Sequence, residues 1–529
     1  MSDQFIYFLI LERVIALTLA LGLRHLGYNT AIPLIVAGAL ISLSPQFPNI
    51  PANPELMLIV LLTPLVFGEA MNSSLIDLRR VHHPILALAV LLVIVTTVSV
   101  GWTVSAMTDL PVALAFAMGA VLAPTDAVAI SAVARKIAVP RSVVLILEGE
   151  SMVNDGTGLT ALHIALIALL VGSMSLKQVA GIFANSILGG IAIGFAAGWL
   201  LAKILEKSRD AVAANCLVLF TPFCIYWLAE YIHGSGILAV VIAGMYVAHR
   251  HYSRTGYTGR SQNRTIWKHM TFVLQTETFF VVGLETPDVL TRLTQEECWL
   301  VAQLVPAVLL TMIASRFVFV FGRRWVDHWF HPKREHMISQ EGSLIIAWAG
   351  ARGPVSGLAA FSIPVVFDNG AIIPGRDIFM ATVFCVIFAT LLLAQTIEPL
   401  ARWLRTTADD DSANIAEAER IMANAALSSL AEAEEKHLNE GRQLPDMWLQ
   451  HLRMQLDERL HSESPDTNRD DDGASLSRQD LDKIVLAMIK AEKKALIQLR
   501  NTGEISDAQS RKLMHRMDSR EQSVRSHHN

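Results

Sequence analysis

The sequence predicts an all-α polytopic membrane protein: about thirteen transmembrane helices in two inverted repeats with crossed discontinuous helices, followed by a helical cytoplasmic tail. Composition, the run of apolar segments and the sidedness of basic residues carry this prediction. Of 529 residues, 52 % are hydrophobic and 17 % charged, with a mean hydropathy of +0.42. A soluble globular domain holds about 25 % charged residues, so the chain is too apolar to have water as its main solvent. Residues 1–405 hold 24 acids and 26 bases, and residues 406–529 hold 24 acids and 17 bases. The expected division is a transmembrane domain over 1–405 and an acidic, partly helical tail over 406–529.

About 17 to 25 mostly apolar residues cross the hydrocarbon core of a bilayer. Segments of that character centre near residues 14, 37, 63, 96, 122, 158, 190, 221, 241, 277, 310, 353 and 388, those near 37, 122 and 241 being short or broken. The first, MSDQFIYFLILERVIALTL, lacks a basic n-region and a small-residue cleavage site, and so reads as a span rather than a removed signal peptide. Loops after odd-numbered spans carry about twenty Lys and Arg, including Arg79, Arg80, Arg135, Lys136, Arg141, Arg323 and Arg324. Loops after even-numbered spans carry three, Lys177, Arg292 and Arg376. Because basic residues are retained in the cytoplasm, the expected topology is N-terminus outside and C-terminal tail inside. Cys216, Cys224, Cys298 and Cys385 lack the spacing of a zinc site or a disulfide ladder and read as small packing residues.

A charge at the bilayer centre costs about 2.5 to 3.5 kcal/mol on insertion scales, so charged residues within spans mark a pathway or a partner. Three clusters stand out. In MGAVLAPTDAVAISAV, Pro124, Thr125 and Asp126 interrupt an apolar segment; Pro124 removes a backbone donor, and the freed carbonyls and the Asp126 carboxylate can coordinate a cation. A simple kink with a satisfied polar residue is the bland alternative. In LEGESMVNDGTGLTALHIALIALLVG, Glu150, Ser151, Asn154 and Asp155 fall within about 140° of one helix face, with Gly158 in the same arc. Glu148 reads equally as an N-terminal helix acid, whereas Asp155 lies almost two turns deeper. In GSLIIAWAGARGPVSGLAAFSIP, Gly350, Gly353, Pro354 and Gly357 surround Arg352, a fixed positive charge that needs a partner; Glu150 or another carboxylate of the second cluster is the expected one, and a snorkelling arginine is the alternative.

One interrupted helix in each half of the chain points to an inverted-repeat secondary transporter with its site at the midplane. Spans 1–6 and 8–13 would form the repeats, each with its broken helix fifth in order. Weaker claims attach to Glu69, which can face a water-filled funnel, support the ion site or sit at an interface, and to Glu277, expected to pair with Arg316. His163 is expected as a packed or hydrogen-bonded core residue.

APTDAVA, EGESMVNDGTG and WAGARGPVSGLA, in that order and spacing over roughly residues 5–400, resemble the sodium/proton exchangers of the NhaP and NHE type. The segment KALIQLRNTGEISDAQSRKLMHRMD resembles the C-terminal part of the bacterial form. The resemblance implies a non-enzymatic antiporter of sodium, lithium or potassium against protons, with no cofactor, acting as a homodimer in the cell membrane and without a nucleic-acid partner. It further implies that Asp126 and Asp155 take the proton or the monovalent cation, that Thr125 and Ser151 supply further oxygens, that Asn154 holds the unwound segments, and that Glu150 pairs with Arg352. FGEAMN places Glu69 one residue later than many relatives, TETFFVVGLE is more acidic than expected, and ARGPV has a proline where alanine is common. A potassium/proton antiporter is the main alternative and a cation channel a remoter one; an intramembrane aspartyl protease lacks its GxGD-type motif. The tail stretch ANIAEAERIMANAALSSLAEAEEKH reads as helix, regulatory or simply solvated, and SESPDTNRDDDGAS as a flexible linker.

Overall fold

The structure is a computed structural model that describes residues 3–44, 58–126, 139–172, 174–208, 210–254, 257–330, 338–366, 373–406, 412–439, 444–461 and 478–526. Arg135, Lys136, the second half of the span near 122 and the linker around 462–475 lie outside the described residues. The described residues are helical, with no strand among them, and divide into two compact units, Met1–Ala408 and Asp409–Asn529.

In the first unit the helices are α1 (Asp3–His25), α2 (Ala31–Ser42), α3 (Thr63–Asn72, continuing a π-turn over Leu58–Leu62), α4 (Leu75–Arg80), α5 (His82–Leu86), α6 (Val93–Met107, joined to α5 through π-turns), α7 (Val112–Leu122), α8 (Arg141–Val171) and α9 (Leu176–Lys207). They continue as α10 (Ala211–Tyr231), α11 (Gly236–Arg254), α12 (Tyr257–Arg292), α13 (Gln295–Phe330), α14 (Gln340–Trp348), α15 (Pro354–Ala360), α16 (Arg376–Ala394) and α17 (Ile397–Trp403). Each predicted span centre falls on a separate helix of this series or, at residue 353, on the break between α14 and α15. Among the described residues six stretches are long and apolar enough to cross a membrane, and α2, α3, α7 and α11 supply shorter apolar helices.

Loops assigned to one side by their basic residues do meet. Arg141 Nη2 pairs with Asp77 Oδ2 at 2.9 Å, and Arg323 Nη1 donates to His83 O at 3.0 Å. Small residues set the closest helix contacts: Gly190, Gly194 and Gly198 form one stripe of α9, and a Cβ on Gly194 would lie 2.5 Å from Ala239 O of α11. This is small-xxx-small packing, in which dispersion replaces the hydrophobic drive that lipid cannot provide. Of the four cysteines, all free, Cys216, Cys224 and Cys298 are exposed rather than packed. His163 is likewise exposed, on the outer side of α8, and is not a core residue.

The buried face of α8 positions the candidate site. Ile146, Leu147, Glu150, Ser151, Asn154, Asp155, Gly158, Leu162 and Ala165 are all buried, an i, i+3, i+4 stripe whose middle is polar. Pro140 precedes the helix, and Gly172, at φ 99°, ends it in a backbone conformation that favours glycine.

The second unit contains α18 (Ser412–Asn439), α19 (Asp446–His461), α20 (Arg478–Thr502) and α21 (Asp507–Ser526). Ala423, Ala426, Leu430, Leu449, Ile484 and Met488 form its apolar centre. Ion pairs tie α20 to α21: Arg500 Nε to Asp507 Oδ1 at 2.5 Å, Arg520 Nη1 to Glu492 Oε2 at 2.9 Å, and Lys493 to Asp518 and Glu521.

Candidate functional site

In a continuous helix the N–H of Asp126 would donate to the carbonyl of Leu122. Pro124 prevents the turn from continuing, and that one bond is split between two new partners. Asp126 N–H donates to Ala351 O at 2.8 Å, and Leu122 O accepts from Arg352 Nε at 2.6 Å. Both partners belong to the second interrupted segment, so the two breaks satisfy each other's backbone groups. The second break arises from Gly350, Gly353 and Pro354: α14 stops at Trp348, and Pro354 opens α15 as its first residue, where a missing N–H costs nothing. Arg352 also gives its backbone N–H to Thr390 Oγ1 at 3.1 Å and a guanidinium N–H to Gly350 O. Gly353 is the contact point; a Cβ there would lie 2.5 Å from Asp126 Cβ and Cγ.

The expected Glu150–Arg352 pair does not form. Glu150 binds Arg316 of α13 through both oxygens, Nη1 to Oε1 at 2.5 Å and Nη2 to Oε2 at 2.8 Å, while Arg316 Nε donates to Ile346 O at 2.8 Å. The reason is local. A broken helix leaves carbonyls that need donors, and Arg352, standing in the break, is taken up by them; Arg316 approaches from a continuous neighbouring helix and offers its planar fork to the carboxylate. The expected Glu277–Arg316 pair is overturned by the same contact, and Glu277 Oε1 pairs instead with Arg13 Nε at 2.9 Å.

Thr125 links the charged pair to the polar face of α8. Its hydroxyl donates to Glu150 Oε1 at 3.0 Å and accepts from Asn154 Nδ2 at 2.9 Å. Asn154 is thereby fixed with its amide donor engaged, and its Oδ1 is buried without a donor among the described residues. Asp155, 2 % exposed, follows on the same face, with Ser151 buried one turn before it. Asp126, 9 % exposed, and Glu69 of α3 both lie within electrostatic reach of Asp155, and Glu69 accepts a hydrogen bond from Gln275 of α12. Gly158 permits this approach: a Cβ there would lie 2.3 Å from Pro124 Cγ.

All eight residues singled out from the sequence thus fall in one region, where Glu69 is a fourth carboxylate beside Asp126, Asp155 and Glu150. Among the described residues, no three His, Cys, Asp or Glu side chains close into a metal cage. Sequence reasoning missed Arg316 as the partner of Glu150 and Gln275 as the partner of Glu69. An arginine inside the apolar run from 300 to 321 was the available signal for the first.

Residues 13–403 match the family described as sodium/hydrogen exchanger, transmembrane. The chain belongs to that family. The exchanger is 30 % identical over 503 residues to the sodium, potassium, lithium and rubidium/H(+) antiporter of Bacillus pumilus, covering 92 % of this chain and 73 % of that protein. It is 28 % identical over 547 residues to the uncharacterized Na(+)/H(+) exchanger YjcE of Escherichia coli, covering 97 % and 98 % respectively. It shares the fold of the sodium proton antiporter MjNhaP1 from Methanocaldococcus jannaschii, with a TM-score of 0.63 and 19 % identity over 75 % of this chain and 98 % of that one. These relatives are transporters rather than enzymes, and the exchanger is a multi-pass membrane antiporter of monovalent cations and protons.

Proposed function

We propose that the exchanger moves sodium or lithium against protons, one for one and without net charge movement, by alternating access of a site centred on Asp155 and Asp126. The observation that carries this reading is the burial of Asp155 beside two broken helices that hold each other's backbone. Two carboxylates in a partly dehydrated site repel each other, and either a proton or a monovalent cation relieves the repulsion. The two ions therefore compete, and exchange follows when only a loaded site can reorient. Thr125 and Ser151 contribute oxygens, Asn154 Oδ1 is a further acceptor, and Glu69 supports the site. The Glu150–Arg316 pair and Arg352 hold the frame rather than the ion. Asn154 cannot titrate, which leaves one charge-compensating event per cycle. The exchanger works as a homodimer in the cell membrane, N-terminus outside, with residues 406–529 in the cytoplasm.

In proteoliposomes Asp155→Asn folds and loses exchange; exchange at the wild-type rate by that variant rejects the assignment. With the membrane potential clamped, the rate is independent of voltage, and net charge movement rejects the stoichiometry. Potassium is the second reading, favoured by the range of ions in the name of the Bacillus pumilus relative. Comparing sodium, lithium and potassium as drivers of pH-dye dequenching decides between them.

A further inference from the structure

Helix α13 has 36 residues, about 54 Å at 1.5 Å per residue, and so outreaches a hydrocarbon core of about 30 Å. Tryptophans mark where it leaves the lipid. Trp299 is 66 % exposed near one end, and Trp325 and Trp329, 64 % and 68 % exposed, lie near the other with their rings tilted at 51° and centroids 5.5 Å apart. From Trp299 to Trp325 is about 39 Å along the helix, close to the spacing of two headgroup zones. Arg323 therefore sits at headgroup depth on one face of the protein.

At that depth the structure gathers cationic and protonatable groups from two elements. Arg323 Nη1 donates to His83 O at 3.0 Å, the rings of His82 and His83 lie 4.0 Å apart, and His82 Nδ1 is 2.6 Å from Arg79 O. Arg79 and Arg80 end α4 beside them, exposed. Of the acids on these elements, Asp77 is buried against Arg141, and Asp327 is 3.4 Å from Arg323 Nε. Arg324, in contrast, is turned to Ile338 O and Ser343 Oγ.

We propose that Arg79, Arg80, His82, His83 and Arg323 form a docking site for the headgroup of an anionic phospholipid in the leaflet on this face. Charge complementarity and the flanking tryptophans name the occupant: a phosphate held at headgroup depth, with its acyl chains along the lipid-exposed side of α13. The site bridges the two elements that flank Glu150. Arg323 is seven residues from Arg316, on the same side of α13 and about 10 Å away along the helix. On the other element, Leu78 and Ile85 pack against Gly149, where a Cβ would lie 2.8 Å from Leu78 Cδ2 and 2.4 Å from Ile85 Cδ1. A bound headgroup thus clamps α13 to the α4–α5 corner beside the Glu150–Arg316 pair.

The test is native mass spectrometry of the full chain, titrated with phosphatidylglycerol or phosphatidylcholine. The wild type retains phosphatidylglycerol in preference to phosphatidylcholine. Replacing three bases together (Arg79→Gln, Arg80→Gln, Arg323→Gln) weakens phosphatidylglycerol binding about a hundredfold, at about fivefold per base, whereas the corresponding lysine variant keeps it. A salt titration of the wild type reads the same attraction without a variant: phosphatidylglycerol adducts fall steeply with salt and phosphatidylcholine adducts do not. Equal retention of the two lipids, binding by the glutamine variant within about threefold of wild type, or salt-insensitive adducts overturns the site. Displacement by inorganic phosphate at the same concentration makes it a free-phosphate site and also overturns it. Exchange in phosphatidylcholine vesicles stays measurable in the glutamine variant, so this failure is separable from that of the antiport reading.

Discussion

Replacing Arg316 with methionine strands Glu150 as a buried anion. Both carboxylate oxygens lose a direct donor, at 2.5 and 2.8 Å, and Ile346 O loses the Nε donor at 2.8 Å. Breaking a buried pair on one side costs about 3–5 kcal/mol, whereas replacing both partners with neutral groups is often close to neutral. Arg316→Met is therefore expected to lose about 3–5 kcal/mol, and the double variant Glu150→Gln/Arg316→Met to recover at least about 2 kcal/mol of it. Arg352→Met loses its donors to the Leu122 and Gly350 carbonyls, at about 1–3 kcal/mol for each acceptor left unpaired, but Glu150 keeps its fork. Adding Glu150→Gln to that variant restores less than about 1 kcal/mol. Reversible unfolding in mixed micelles, read by tryptophan fluorescence with gel filtration as the check on folding, gives both cycles. Rescue of Arg352→Met by Glu150→Gln, with none for Arg316→Met, refutes the pairing.

Gly353→Ala pushes a methyl to 2.5 Å from Asp126; it is expected to cost about 1–3 kcal/mol and to abolish dye dequenching while the chain still elutes as a single species. Competition between proton and cation fixes a pH sign: below the half-protonation point the half-saturating sodium concentration rises about tenfold for each unit of falling pH, and above it is constant. A half-saturating value independent of pH throughout refutes competition for one site. Arg141→Ala leaves Asp77 buried without the guanidinium 2.9 Å away and is expected to lower stability by about 1–3 kcal/mol, seen as faster heat inactivation. In the second unit Asp507→Asn removes the counter-charge of Arg500 at 2.5 Å and Arg511 at 2.8 Å; hydrogen exchange of Arg478–Ser526 in the whole chain is expected to rise about a hundredfold, corresponding to about 3 kcal/mol.

The helical architecture was legible because lipid imposes long apolar runs, and charge inside a run is costly enough to flag its bearer. Asp126, Asp155, Glu150 and Arg352 were all visible on that ground, and Asn154 through the polar face it shares with Glu150 and Asp155. What a charge binds was less legible. Arg352 lies in sequence beside the glycines and proline that strip neighbouring carbonyls of donors, yet carboxylates were its expected partners and carbonyls its actual ones. Arg316 was assigned to Glu277, and Glu277 went to Arg13, because partners between non-adjacent helices depend on crossing geometry that periodicity along one helix does not contain. Glu69 shows the same limit: a funnel, a supporting role and an interface all fitted the sequence, and its approach to Asp126 and Asp155 depends on how α3 meets the first break and α8.

The corrected pairing changes the charge count of the proposed site. With Arg316 on Glu150, that pair is neutral and drops out, and Arg352 remains as a fixed positive charge whose direct partners are carbonyls. With Glu69 protonated, ionised Asp126 and Asp155 and the Arg352 guanidinium sum to one negative charge, and a single proton or a single sodium ion brings the proposed core to zero. Glu69 of α3, half-buried and with Gln275 as donor, lies within electrostatic reach of both aspartates, so this count requires Glu69 to keep its proton. Carrying an unpaired charge through the bilayer interior costs about 2.5 kcal/mol or more, so in the proposed cycle the empty core reorients slowly and the singly loaded core does not meet that barrier. An aspartate at position 154 would make the empty core doubly negative and require two charges per crossing. The proposed one-for-one exchange thus rests on a neutral Glu69 and on the identity of three residues, Asn154, Arg316 and Arg352, none of which binds the transported ion through a charge of its own.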